Sequence, residues 1–276
     1  MRKIWFNASA VLAAALVLTL GTGGAAFAAK PDQTASAKHP APATATVLGN
    51  DVSWPQCGTT LPTSHAFGIV GVNDGLANTT NPCLADQLNW AAGSAVMTGQ
   101  PAVELYVNTA NPGPAGSWWP TSNDYAGTTV ANPYGTCGGA NDVACAYIYG
   151  YAKAYDDATI RGVANPAGYL WWLDVETMNS WEPNTTANAA DLEGMTAYFH
   201  SIGARVGIYS TSYQWGQIAG RVSSTSNLNG LQSWIPGAKS EKAAKANCSA
   251  VPLTTGSPVT LTQYATRAFD YDVSCI

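Results

Sequence analysis

Two carboxylates stand two residues apart at the end of the apolar run Tyr169-Leu170-Trp171-Trp172-Leu173-Asp174-Val175-Glu176. Side chains alternate faces along an extended chain. Leu170, Trp172, Asp174 and Glu176 therefore share one face, and Tyr169, Trp171, Leu173 and Val175 share the other. The two acids are about 6.6 Å apart along such a strand. If it is a barrel strand, they sit inside the C-terminal mouth, where barrel enzymes place their chemistry. Neighbouring carboxyls repel, and partial burial adds to this, so one of the pair can hold its proton near neutral pH. A general acid needs that state. Glycosidic cleavage needs such an acid, with a group that stabilises developing positive charge. The plain alternative is a strand that ends in two solvated acids.

Tryptophan is the second clue. Trp54, Trp118, Trp119, Trp172, Trp181, Trp215 and Trp234 fall mostly at strand ends or in loops. Flat rings with an N–H donor suit the C–H-rich faces of sugars, and Trp181, five residues after Glu176, is a good candidate for that role. Trp90 and Trp171 read as core. Asp51-Val52-Ser53-Trp54 and Asp270-Tyr271-Asp272 stand at opposite ends of the prospective domain. First and last strands are neighbours in a closed barrel, so Asp51 and Asp272 could join Asp174 and Glu176 at one mouth.

The elements that must position these groups show in the apolar pattern. Buried strands are expected at 67–72, 102–107, 169–175 and 206–209, with weaker candidates at 233–235 and 259–264. Continuous apolar strands suit a sheet covered on both faces. Leu84, Leu88, Ala91, Ala92 and Ala95 share a helical face. Residues 144–163 form a second helix, and Leu192, Met195, Phe199 and Ile202 mark a third, with Gly203 as its C-cap. Strand–helix alternation predicts βαβ units. Only five residues separate Tyr264 from Asp270, too few for a helical crossover, so a strand at 270–274 must return antiparallel. One short helix fits near 239–246. Residues 110–144 are a long Gly/Pro/Asn-rich insertion, and such loops are often functional.

The 276-residue chain carries a net charge of −5, with 11% charged and 10% aromatic residues. Its 46% apolar content excludes disorder throughout. The acidic balance, with no basic stripe, argues against a nucleic-acid partner. Arg2 and Lys3, the apolar run Ala8–Leu20 and Ala26-Phe27-Ala28 read as a secretory signal peptide cleaved near Ala28. No other apolar run could span a membrane. Residues 29–49 read as a flexible Ala/Pro/Thr-rich linker, and 50–276 as one domain with eight Lys/Arg against sixteen Asp/Glu. Six Cys in an exported chain predict three disulfides, with local pairing Cys57–Cys83, Cys137–Cys145 and Cys248–Cys275 favoured among 15 connectivities. There is no C-x-x-C, and His39, His65 and His200 do not cluster, so no metal site is expected. His39 falls in the linker; His65 and His200 read as loop and helix-surface residues.

Taken together, these segments resemble the family 25 glycoside hydrolases, secreted lysozymes that cut peptidoglycan. The first strand of that family is similar to Asp51-Val52-Ser53-Trp54 and the second to Ile69–Gly75. The fourth carries the Asp-x-Glu pair, here Asp174 and Glu176. The fifth resembles Gly207–Thr211, with Trp215 after it. Gln263-Tyr264 and a final strand Asp, read as Asp272, complete the order. The resemblance implies an irregular TIM-like α/β barrel of about five β/α units followed by three strands. It implies Glu176 as general acid and Asp174 as the residue that orients an attacking acetamido group, with retention of configuration. Asp51 and Asp272 would support them electrostatically, and Tyr106, Tyr209, Trp54, Trp181, Trp234 and Gln263 would bind substrate. No cofactor is implied, because such hydrolysis uses only acids and water. The expected partner is a cell-wall polysaccharide met outside the cell by a monomer. Two departures stand out: Gly71 lies near the place of a basic residue usual in the second strand, and the acid beyond it is Asp74 rather than Glu. A glycosidase acting on another N-acetylated polymer such as chitin, and a non-catalytic wall-binding barrel, remain alternatives.

Overall fold

The computed structural model describes residues 47–276. The signal-peptide reading, most of the linker and His39 lie outside the described residues. The linker reading, 29–49, overlaps the barrel at its C-terminal end: Leu48 and Gly49 belong to the first strand, where they pair with Val273 and Asp272.

The chain runs β1 (Leu48–Val52), β2 (Gly68–Gly71), α1 (Leu84–Ala92), β3 (Val103–Asn108), β4 (Asp124–Tyr125), β5 (Thr128–Thr129), α2 (Val143–Thr159), β6 (Leu170–Asp174), α3 (Thr185–Ser201), β7 (Arg205–Tyr209), α4 (Ser212–Ile218), β8 (Gln232–Ala238), α5 (Glu241–Asn247), β9 (Val259–Ala265) and β10 (Asp270–Ser274). Eight strands close into a barrel in the order β1-β10-β9-β8-β7-β6-β3-β2. All neighbours are parallel except β10, which runs antiparallel to both β9 and β1. This is the irregular α/β barrel the resemblance implies, except that one plain strand precedes the five β/α units and two rather than three follow them. Its five helices follow the second to sixth barrel strands, so the helix-free strands lie at both ends of the domain. Strands β4 and β5 form a small hairpin within the 110–144 insertion.

Strand β6 shows why the barrel closes. Its outward Trp171 and Leu173 join Leu192, Met195 and Phe199 of α3 in the layer between strands and helices. Trp171 stacks on Phe199 with ring centres 4.5 Å apart. Its inward Leu170 and Trp172 meet Phe67, Ile69, Trp234 and Leu261 inside the barrel. Burying each such side chain stabilises the fold by about 1.5–3 kcal/mol. The interior has room for Trp172 only because β7 presents Gly207 toward it. A Cβ on Gly207 would overlap the Trp172 ring, with its third-nearest atom 3.0 Å away.

Asn184 caps α3 by accepting from the backbone N–H of Thr186 and Ala187. The helix begins at Thr185, well before Leu192; its Thr- and Ala-rich first turns carry no strong apolar stripe, so the sequence pattern shows only its later turns. Three disulfides form, Cys57–Cys83, Cys137–Cys145 and Cys248–Cys275, in the local pairing expected. His65 is buried rather than loop-exposed, because its ring stacks on Trp90 at 4.3 Å.

Gly207→Ala forces Trp172 off its position and is expected to destabilise the fold by about 1–3 kcal/mol. Urea unfolding checks this: the midpoint falls while the slope stays that of the parent.

Candidate active site

The parallel strands all point their C-terminal ends at one mouth. There, Asp51, Tyr106, Asp174, Glu176, Tyr209, Trp234, Gln263 and Asp270 enclose a cavity of about 170 Å³. Four of these eight residues are acids and none is basic.

Asp174 ends β6 and is buried. Its Oδ2 accepts from Asn108 Nδ2 at 3.1 Å, while its Oδ1 has no hydrogen-bond partner. Asn108 is itself fixed by its backbone N–H, which donates to Asn73 Oδ1 at 2.8 Å. Burial, then the charges of Glu176 and Asp51, raise the Asp174 pKa well above the usual carboxylate range. Glu176 follows two residues later, half-buried. Gln214 of α4 faces it. The Gln214 Oε1 accepts from the Thr177 N–H at 2.7 Å and the Thr177 hydroxyl at 3.0 Å, which turns Nε2 toward Glu176 Oε1 at 3.5 Å.

A second chain of contacts crosses the cavity floor. The Tyr209 hydroxyl donates to Gln263 Oε1 at 3.1 Å, and Gln263 Nε2 donates to Asp51 Oδ2 at 2.9 Å. Burial, then Asp270, push Asp51 up to about 7. Beyond it lies Asp272, fully buried and raised well above its usual value by burial and then by Asp51. Both carboxyl oxygens of Asp272 are buried without a hydrogen-bond partner. Deeper still, Glu104 accepts from the Trp172 indole and is pushed up to about 8 by burial, which outweighs that bond and the charge of Arg205.

The structure brings Asp174, Glu176, Asp51, Tyr106, Tyr209, Trp234 and Gln263 to one cavity; the alternation along 169–176 suggests the first two, and the resemblance implies the rest. Trp234 is buried, lies edge-on to Tyr209 at 4.5 Å, and has an unpartnered indole N–H. Three expectations need correction. Asp272 does not line the cavity; Asp270 does. Because β10 runs antiparallel, its first residue stands opposite Asp51 at the mouth and Asp272 lies one layer deeper, opposite Gly49. Trp181 does not face the cavity either, because its indole N–H donates to the Glu176 carbonyl at 2.8 Å. Trp54, largely exposed, packs against Gly75 outside the cavity lining. The sequence reading misses Asn108 and Gln214, and takes Asp272 where the structure uses its motif neighbour Asp270. The last was findable, since the five-residue connection already required an antiparallel final strand.

Gly71 also has a role. A Cβ there would come within 2.7 Å of the Tyr106 hydroxyl. The Tyr106 ring occupies the space that a side chain at this position would take.

A model of the lysozyme-like protein 1 family matches residues 164–245. These residues span the Asp-x-Glu strand, α3, β7, α4 and β8. The chain is 29% identical to a probable GH family 25 lysozyme 4 of Dictyostelium discoideum, over 38% of this chain and 48% of that protein. It is 36% identical to lysozyme-like protein 5 of Caenorhabditis elegans, over 28% of this chain and 34% of that one. It thus spans about half or less of the length of the curated relatives it matches. A bacterial lysozyme from Streptomyces coelicolor has the same fold, with a TM-score of 0.52 at 16% identity over 84% of this chain and 93% of that one.

The buried acids make stability depend on pH. Asp51, Glu104 and Asp157 have folded-state pKa values of about 7, 8 and 7, against ordinary values of 3.8, 4.5 and 3.8. Each binds its proton more tightly folded than unfolded. Their contribution is fully present below about pH 4 and is lost as the pH rises toward about 8. The thermal midpoint should fall across that range. Glu104→Gln, whose amide oxygen can still accept from Trp172, should flatten the fall. Calorimetry at constant ionic strength checks both, and a midpoint that rises from acid to neutral pH contradicts them.

Proposed function

We propose that this chain, a divergent relative of the family 25 glycoside hydrolases, hydrolyses β-1,4 glycosidic bonds of peptidoglycan in the manner of an N-acetylmuramidase. One observation carries the reading. A sugar-sized cavity at the mouth of a barrel is lined by four carboxyls and no cation. Such a site disfavours anionic intermediates. It suits a reaction that needs one proton donor and then positive charge at a sugar ring.

Glu176 is the proposed general acid. Its proton passes to the glycosidic oxygen as the bond from that oxygen to the anomeric carbon breaks. The acetamido oxygen of the same sugar attacks the anomeric carbon, and the acetamido nitrogen takes on positive charge. Asp174 Oδ1, buried and unpartnered, is available to accept that N–H. Asn108 holds the other oxygen of this carboxyl in place. Water then opens the ring intermediate, giving its proton back to Glu176 and leaving the configuration retained. Asp51, Asp270 and the deeper Asp272 supply negative potential, and Tyr106, Tyr209, Trp234 and Gln263 are proposed to hold the sugar.

Three disulfides fit an oxidising, extracellular setting. No described helix is long and apolar enough to cross a membrane. We read the N-terminal residues as an export signal followed by a linker to the barrel, and the partner as the cell-wall polysaccharide.

The test is release of reducing ends from purified peptidoglycan. Glu176→Gln should cut turnover by about 10²- to 10⁴-fold while leaving the thermal midpoint near that of the parent. A Gln variant close to parental activity would overturn the assignment. Release from chitin oligomers but not from peptidoglycan would move the substrate.

A further inference from the structure

A second hollow, of about 310 Å³, is built on the same backbone that presents Glu176. One wall is the loop after Glu176, including Met178 and Asn179. The opposite wall is the loop after β2, including Leu76 and Asn78. The base is the start of the 110–144 insertion. Its position relative to Glu176 is tied down. The Asn179 N–H donates to the Glu176 carbonyl at 3.1 Å, and the Trp181 indole donates to the same oxygen. Asn111 pairs with Trp181 as a parallel bridge, its N–H on the Ser180 carbonyl at 2.9 Å. The Asn111 side chain is anchored to Asn188 of α3. At the far edge, Gly75 lies against the Trp54 indole.

The lining chemistry is distinctive. No charged residue faces the hollow. Leu76 and Met178 stand exposed at its rim, at 63% and 92%. The Asn78 and Asn179 amides make only 3.5 Å contacts, to Ser117 Oγ and the Asp174 carbonyl. Its only aromatic ring, that of Tyr149, is buried, so it offers no open stacking platform for a sugar. Apolar rim groups beside loosely held amides suit a short peptide with small side chains.

We propose that this hollow is a subsite for the peptide stem of the substrate, which takes the uncharged lactyl–alanyl start of a stem attached to the sugar in the catalytic cavity. The inference rests on the proposed peptidoglycan substrate. The hollow begins two residues after Glu176, within about 7 Å of chain, so one ligand can enter both. It gives the insertion a task, and it makes the enzyme prefer peptide-bearing strands over bare glycan.

The experiment measures calorimetric binding to the Glu176→Gln protein of two soluble probes. One is N-acetylglucosaminyl-N-acetylmuramyl-L-alanyl-D-isoglutamine, and the other is the same disaccharide without peptide. The peptide-bearing probe should bind about tenfold more tightly, the effect of covering roughly two methyl-sized groups. Leu76→Ser with Met178→Ser should close that gap. Equal affinity of the two probes, or a gap that survives the double substitution, overturns the proposal. Reducing-end release by the parent protein is followed in parallel. A binding gap without release from any glycan would sink the hydrolase reading and leave the subsite standing.

Discussion

The structure turns on a set of carboxyls that face one another inside a barrel without a cation between them. Asp51, Asp174, Glu176 and Asp270 line the cavity, and Asp272 and Glu104 continue the series downward. Like charges this close cannot all ionise in a buried setting, so several must hold protons. Everything near them serves that condition. Asn108 holds one oxygen of Asp174, Gln263 links Asp51 to Tyr209, and the Trp172 indole satisfies one oxygen of Glu104. An apolar framework packs both faces of the strands that carry these acids.

Much of this was readable from residue types alone. The alternation along 169–176 assigned Trp172 and Asp174 to the inside and Trp171 and Leu173 to the helix side, and the core clusters divide along that line. Strand positions were legible because parallel strands buried on both faces carry unbroken apolar runs. The disulfides were legible because each closes a local loop. Helix α4 was not, since its seven residues, Ser212–Ile218, are too few to show a periodicity. It is nonetheless the element that sets Gln214 beside Glu176.

The misplacements share one cause. Sequence pattern gives a residue's face but not its depth, nor what consumes its polar atoms. Asp270 and Asp272 lie on one face, and only the direction of β10 decides which reaches the mouth. Trp181 has the right spacing from Glu176, yet its N–H is taken by the backbone of the very residue it was expected to assist. His65 sits in a loop segment, yet stacking on Trp90 buries it. Such facts depend on contacts between distant segments, which local patterning does not encode.

The central claim is that burial inside the barrel holds Asp51, in the cavity wall, and Glu104, below it, well above the ordinary carboxylate range. The most direct measurement is a carbon-13 NMR titration of the Asp and Glu carboxyls in the folded protein, with Asp51→Asn and Glu104→Gln for assignment. Asp51 is expected to titrate near 7 and Glu104 near 8. If both carboxyls instead titrate near their ordinary values of about 4, the cavity is solvated and its acids act independently, and the account fails.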